Sequence, residues 1–156
     1  MQNRRQIGIP GICPGSPFGS LTINLGKTVT RPHRDHLNLV TGLCAIYVLG
    51  DFDWTSGGHL VLHDLGLLLE LSPGDLAFFP SASITHYNLP IKPEATRESL
   101  VFYTAGLMFR YALLHSLAYK DLEPKEKEKM LKETLRTRLD EGWDRFSLLK
   151  DLTRKP

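Results

Sequence analysis

The residues with the clearest capacity for chemistry are the histidines and one neighbouring carboxylate. Six histidines occur in the sequence, and two of them, His33 and His86, stand out by their spacing. His33 and Asp35 form an H-x-D pair, and residues two apart on a strand point to the same face. His86 follows 51 residues after Asp35, in the segment ITHYN. Two imidazoles and one carboxylate, with other positions left open, form the ligand set of non-haem Fe(II) oxygenases.

A second polar pair, Arg97 and Ser99, begins eleven residues after His86. Strand alternation predicts that both side chains share one face. A guanidinium in a charge-poor barrel needs an anionic partner. A carboxylate held bidentately, with a hydroxyl beside it, suits 2-oxoglutarate. The alternative is a surface ion pair between Arg97 and either Glu94 or Glu98.

The remaining histidines are less suited to the same site. Strict alternation would turn His36 away from the face that carries Asp35. His59 and His63 share one strand face and are interpreted as surface or second-site residues. Asn38 could either order the H-x-D segment or touch a substrate.

Short strand patterns separated by turn signals occupy residues 18–106. They lie at residues 20–25, 42–50, 59–63, 67–71, 76–79, 84–89 and 98–104, with a further segment at 32–37. About eight short strands predict a mainly β sandwich or barrel, a class that includes jelly-roll and cupin-like barrels. Beyond residue 106 the period becomes helical, with one helix at 107–119 and another beginning near Pro124. The second helix carries an apolar stripe: Leu131, Leu135, Leu139, Trp143, Phe146 and Leu149.

Length and charge predict one domain of 156 residues with two kinds of structure. Residues 1–119 contain eight Lys/Arg and eight Asp/Glu, whereas residues 120–156 contain eleven and nine. We therefore expect a β core with its first flanking helix at 1–119. Residues 120–156 are expected to form a charged amphipathic helix of the same domain, packed outside the barrel.

Composition excludes several classes of protein. Hydrophobic residues make up 42% and charged residues 23%, which is typical of a globular domain. No apolar run approaches the ~18 residues of a membrane span, so we expect no membrane partner. Two cysteines without CxxC spacing favour reduced thiols in an intracellular protein, and the N-terminal residues lack the apolar stretch of a secretory signal. The net charge of +2 gives no indication of nucleic-acid binding.

The set of motifs resembles the Fe(II)/2-oxoglutarate-dependent dioxygenases, whose fold is the double-stranded β-helix. The finer sequence pattern is similar to the TET/JBP-like branch found in fungal genomes. It includes PHRDHLN at 32–38, VLGDF at 48–52, SGGHL at 56–60, SPGD at 72–75 and ITHYN at 84–88. The resemblance extends over residues 18–106.

This resemblance implies a catalytic Fe(II) site formed by His33, Asp35 and His86. It also implies that Arg97, assisted by Ser99, binds the far carboxylate of 2-oxoglutarate. The cosubstrates would be 2-oxoglutarate and O₂, with succinate and a hydroxylated C–H group as products. In the TET/JBP branch the substrate is the methyl group of 5-methylcytosine or thymine in DNA, reached by base flipping. DNA would then be a partner and the protein nuclear; otherwise we expect a cytoplasmic enzyme.

Three alternatives remain open. A cupin is another β-barrel, although cupins usually have an H-x-H pair and a nearby Glu. A prolyl-hydroxylase-like oxygenase would use the same site on a protein or a small molecule. A catalytically silent barrel would bind a metal or a partner, the latter through the charged C-terminal helix.

Overall fold

The computed structural model describes residues 11–113, 121–129 and 132. Within these residues the chain forms strands followed by helical segments. The elements are β1 (Ser20–Asn24), β2 (Cys44–Asp51), β3 (Leu60–Leu62), β4 (Leu67–Leu69), β5 (Leu76–Phe79), β6 (His86–Asn88), β7 (Thr96–Tyr103) and α1 (Gly106–Leu113). A single 3₁₀ turn, His63–Leu65, joins β3 to β4.

The strands form two antiparallel sheets. One has the order β1-β7-β2-β5 and the other the order β4-β3-β6. This arrangement confirms the mainly β fold predicted from the strand pattern, and it is that of the double-stranded β-helix implied by the resemblance. Non-consecutive neighbours such as β1 and β7 bring residues that are distant in sequence onto one surface.

The core lies between the inner faces of the two sheets. Alternate residues Cys44, Ile46 and Val48 of β2 point inward and meet Leu60 and Leu62 of β3. Phe52 and Phe79 complete this buried cluster. The same inward faces carry polar side chains further along β6 and β7, which places the candidate site beside the core.

Residues 32–37 do not form the strand predicted from the sequence. His33 instead makes an isolated bridge with His86, in which each backbone N–H donates to the other's carbonyl, at 3.1 and 2.9 Å. The Asp35 N–H donates separately to the Ser81 carbonyl, and the Asn38 N–H donates back to the Asp35 carbonyl. A turn thus replaces the predicted strand.

The helical predictions are described in part. Helix α1 begins at Gly106, and its Met108 packs against the start of β1, where the Ser20 hydroxyl contacts the Met108 sulfur. Residues 124–129 are helical, in agreement with a helix start at Pro124. Residues 114–119 of the first predicted helix and the apolar stripe from Leu131 to Leu149 lie outside the described residues. Among the described residues, no helix is both long and apolar enough to cross a bilayer.

Candidate metal and anion site

The structure brings His33, Asp35 and His86 together at one edge of the core. One possible ligand atom from each residue lies within 4.8 Å of the others. The two imidazole ring centroids are 4.4 Å apart, and His33 Nε2 is 3.6 Å from Asp35 Oδ1. The backbone bridge between His33 and His86 sets this approach, so the site depends on long-range pairing as well as on the H-x-D spacing.

Both imidazoles are held in the tautomer that suits a metal ligand. His33 Nδ1 lies 2.8 Å from the Arg31 carbonyl, and His86 Nδ1 lies 2.9 Å from the Ile84 carbonyl. Because a carbonyl oxygen can only accept, each Nδ1 carries a proton, and Nε2 is the ring nitrogen left to bind a metal. Burial lowers the pKa of His86, which also favours the neutral ring.

Asp35 is oriented by a side chain of its own turn. Asn38 Nδ2 donates to Asp35 Oδ2 at 3.1 Å and to Ser81 Oγ at 3.2 Å. These contacts leave Asp35 Oδ1 facing His33. Of the two roles open to Asn38 from the sequence, the structure supports the ordering of the H-x-D segment.

An ion pair at the rim fixes the same segment to the 3₁₀ turn between β3 and β4. Arg34 Nη2 lies 2.9 Å from Asp64 Oδ2, and Arg34 Nε donates to Thr85 Oγ1 at 3.0 Å. Asp64 Oδ2 also accepts the Thr85 backbone N–H, which together with the Arg34 charge lowers the pKa of Asp64. The guanidinium of Arg34 is therefore engaged within the protein.

Arg97 is almost fully buried on β7, with only 1% of its surface exposed. Its guanidinium carbon lies 6.0 Å from the centre of the Phe52 ring, and burial lowers its pKa. Among the described residues, neither Nε nor Nη2 has a hydrogen-bond partner. No described ion pair joins Arg97 to Glu94 or Glu98, so the surface ion pair considered from the sequence is wrong.

Close approach of Arg97 to Phe52 depends on Gly58. A Cβ at this position would lie 2.8 Å from Phe52 Cε2 and 3.0 Å from Arg97 Cδ. Gly58 also has a φ of +71°, in the left-handed region that glycine adopts readily. Any side chain here would displace the stem of Arg97.

Ser99 is buried on the same face as Arg97, as alternation predicted. Its hydroxyl oxygen accepts a hydrogen bond from Asn24 Nδ2 on the neighbouring strand, at 3.1 Å. Ser99 therefore contributes a fixed hydroxyl next to the guanidinium.

A cleft of about 530 Å³ joins the His-Asp-His group to Arg97 and Ser99. Its walls come from both sheets and from the turn that contains Asp35. The other lining residues are Thr22, Asn24, Thr28, Thr30, Arg34, His36, Leu37, Asn38, Cys44, Ile46, Phe79, Asn88, Val101 and Tyr103. All five candidate site residues predicted from the sequence thus face one cavity.

Several residues differ from their sequence-based interpretation. His36 lines the cleft, because its segment is a turn and does not follow strand alternation. His59 is buried, not exposed, and its Nε2 lies 3.9 Å from Glu70 Oε1. Asn24 and Asn88 were missed, although each alternates with another cleft residue on its own strand.

The chain was compared with known proteins. No protein-family model matches the sequence. No curated protein matches it either. Among solved structures, the fold is similar to that of NgTET1. NgTET1 in complex with 5mC DNA superposes with a TM-score of 0.56 and 21% sequence identity, over 67% of this chain. The matched region covers 41% of the NgTET1 chain, so this chain spans about two fifths of that length.

The likeness to NgTET1 shows a shared fold. The geometry of the cleft indicates which kinds of ligand it could hold. Two imidazoles and a carboxylate could hold a divalent metal ion. A buried guanidinium with unpartnered N–H groups faces the same cavity. The cleft can therefore accept a small molecule with an anionic group directed toward Arg97.

Proposed function

We propose that this protein is an Fe(II)- and 2-oxoglutarate-dependent dioxygenase. The observation that carries the proposal is Arg97, whose buried guanidinium has unpartnered N–H groups in the cleft of the His-Asp-His group. A buried cation is strongly disfavoured without an anion. A metal ligand set alone would fit many proteins, whereas this combination fits a metal-chelating acid with a second carboxylate.

His33, Asp35 and His86 would hold the metal. Their fit follows from the hydrogen bonds that keep both Nδ1 atoms protonated, and from Asn38, which fixes the carboxylate. When bound, Fe(II) supplies O₂ activation coupled to decarboxylation of 2-oxoglutarate and hydroxylation of a substrate C–H bond.

The other cleft residues would bind and orient the cosubstrate. Arg97 would bind its far carboxylate through the guanidinium, and Ser99 would present the hydroxyl fixed by Asn24. Cys44 lines the cleft near Ser81, and burial raises the pKa of its thiol to about 11, so that it contributes no negative charge at neutral pH.

For the primary substrate we propose the methyl group of 5-methylcytosine or thymine in DNA. The sequence resemblance to the TET/JBP-like branch supports this choice, as does the fold shared with NgTET1, which was solved in complex with 5mC DNA. An oxygenase acting on a protein or small molecule would use the same metal-binding and carboxylate-binding residues. The substrate assay distinguishes it from an oxygenase acting on DNA.

The test measures succinate. Anaerobically iron-loaded protein is mixed with 2-oxoglutarate, with or without methylated DNA, and O₂ is then admitted. We expect succinate release, stimulation by methylated DNA and oxidised bases in that DNA. Release without stimulation or oxidised bases would support the oxygenase and contradict the DNA substrate.

Asp35→Ala tests the metal group directly. It removes the only ligand charge, and we expect loss of more than about a hundredfold in turnover together with weaker iron binding. Asp51→Ala, at the exposed end of β2, is the matched control and should behave as the parent protein. Full activity of Asp35→Ala would refute the assignment.

A further inference from the structure

Asn88, at the end of β6, has a buried amide that the protein does not fully satisfy. The residue is 8% exposed and faces the cleft. Among the described residues, its Nδ2 has no hydrogen-bond partner. Buried amide donors nearly always have an acceptor, so the acceptor for this group comes from outside the described residues, as a bound molecule or a water.

Thr30 fixes which end of the amide faces the cleft. The Asn88 backbone N–H donates to Thr30 Oγ1 at 3.1 Å, and Thr30 Oγ1 donates to Asn88 Oδ1 at 3.3 Å. Since the hydroxyl oxygen already accepts the backbone N–H, its own proton is available for the amide oxygen. This reciprocal pair engages the amide oxygen and leaves Nδ2 as the unpartnered donor of a residue that lines the cleft.

Asn88 and Arg97 face one cavity from different sheets. Asn88 belongs to the sheet of β4, β3 and β6, and Arg97 to the sheet of β1, β7, β2 and β5. Asn88 also follows His86 by two positions on the same face of β6, roughly 6.5–7 Å along an extended strand. Asn88 thus lies one strand repeat away from the His86 imidazole, a candidate metal ligand.

We propose that Asn88 Nδ2 donates to the same far carboxylate that Arg97 binds. This inference rests on the proposed function, because the ligand is a short 2-oxo dicarboxylate whose near end lies at the His-Asp-His group. Arg97 supplies the charge and Asn88 a neutral donor from the opposite wall. Asn88 is thereby a specificity residue that selects an acceptor-only terminal group.

The test measures binding of 2-oxoglutarate to the full chain by calorimetry, with Mn(II) in place of Fe(II). Loss of one hydrogen bond to a charged group predicts about tenfold to hundredfold weaker binding for Asn88→Ala. Asn88→Asp places a second carboxylate against the ligand and should weaken binding further. Thr55→Val, on an exposed turn outside the cleft, is the control and should leave the affinity unchanged.

Pyruvate separates a role at the far carboxylate from a role at the metal. It shares the 2-oxo acid end but lacks the second carboxylate, so its affinity should not change in Asn88→Ala. Equal losses for both ligands would overturn the inference. Unchanged 2-oxoglutarate affinity in both Asn88 variants would overturn it as well, while Arg97→Met would still report on the proposed function.

Two further outcomes complete the test. If the parent protein binds no 2-oxoglutarate, the proposed function and this inference fall together. If the Asn88 variants do not fold, Thr30→Val replaces them, because it removes the proton donor that orients the amide. Thr30→Val should bind 2-oxoglutarate severalfold more weakly and pyruvate normally, and an unchanged 2-oxoglutarate affinity would overturn the inference.

Discussion

Replacing Arg97 by methionine should stabilise the ligand-free protein and abolish its response to 2-oxoglutarate. The guanidinium is buried, and its Nε and Nη2 are unpartnered among the described residues. Arginine stays protonated even when burial lowers its pKa, so folding must desolvate a full charge. Methionine keeps an unbranched stem that can pack on Phe52 and beside Gly58.

The magnitude follows from the cost of an uncompensated buried ion. Replacing buried ionic groups by apolar residues of similar volume is often neutral or stabilises proteins by about 1–4 kcal/mol. Because the Arg97 charge has no described counter-ion, we place this substitution within the stabilising range. For a domain of this size, each kcal/mol changes the Tm by about 2–4 °C. We therefore expect the Tm of ligand-free Arg97→Met to rise by at least about 2 °C.

Thermal unfolding is measured on protein dialysed free of ligand, with Mn(II) present. Saturating 2-oxoglutarate at a hundred times its Kd should stabilise the parent protein by about 2.7 kcal/mol and Arg97→Met hardly at all. Arg97→Lys separates charge from geometry, since it keeps the cation but lacks the planar fork, and should lose affinity without gaining stability. Lys92→Met removes an exposed cation. It should change neither the stability of the ligand-free protein nor its stabilisation by 2-oxoglutarate by more than about 1 kcal/mol.

Two results would refute the reasoning. A ligand-free Arg97→Met protein that is clearly less stable than the parent would mean that the guanidinium has a partner within the chain. A variant that keeps the full stabilisation by 2-oxoglutarate would place the carboxylate anchor elsewhere in the cleft.

Two further substitutions test the surroundings of the site. Gly58→Ala, whose Cβ would lie 2.8 Å from Phe52 and 3.0 Å from Arg97, should destabilise the fold by about 1–3 kcal/mol. It should also weaken 2-oxoglutarate binding but not Mn(II) binding in calorimetry, and unchanged 2-oxoglutarate binding would contradict the role of Gly58 in placing Arg97. Burial raises the Cys44 pKa from 9.0 to about 11, so the folded state keeps a proton that the unfolded state loses as pH rises. Between pH 9 and 11 the free energy of unfolding should therefore fall by about 2 kcal/mol more in the parent than in Cys44→Ala, as measured by denaturant titration. At pH 8 a thiol reagent should modify the exposed Cys13 and spare Cys44, and equal labelling would contradict this burial.

The sequence predicted the parts of the site that depend on alternation within one strand. Arg97 and Ser99 share a face of β7, and both are buried as expected of residues that point into a barrel. His33, Asp35 and His86 also meet as predicted. Strand alternation does not explain why His33 and Asp35 converge, because their segment is a turn held by individual hydrogen bonds.

The parts that were not predicted depend on pairing between distant segments. Thr30 and Asn88 are 58 residues apart, and their contact requires the H-x-D segment to lie against β6. Asn24 reaches Ser99 because β1 pairs with β7, the last strand described. Periodicity shows which face of its own strand a residue occupies. Periodicity does not show which distant segment will lie opposite that face.

The two ends of the cleft are organised by opposite principles. At the metal end, the Nδ1 atoms of His33 and His86 each lie against the carbonyl two residues earlier. Local structure therefore orients both imidazole rings. At the anion end, the donors of Arg97 and Asn88 remain unpartnered among the described residues. Local orientation allows the metal end to form without a ligand, whereas the anion end is unfavourable until a carboxylate arrives. Ligand binding should therefore stabilise the protein mainly through the anion end, and a ligand without the far carboxylate should bind the metal yet stabilise the fold much less.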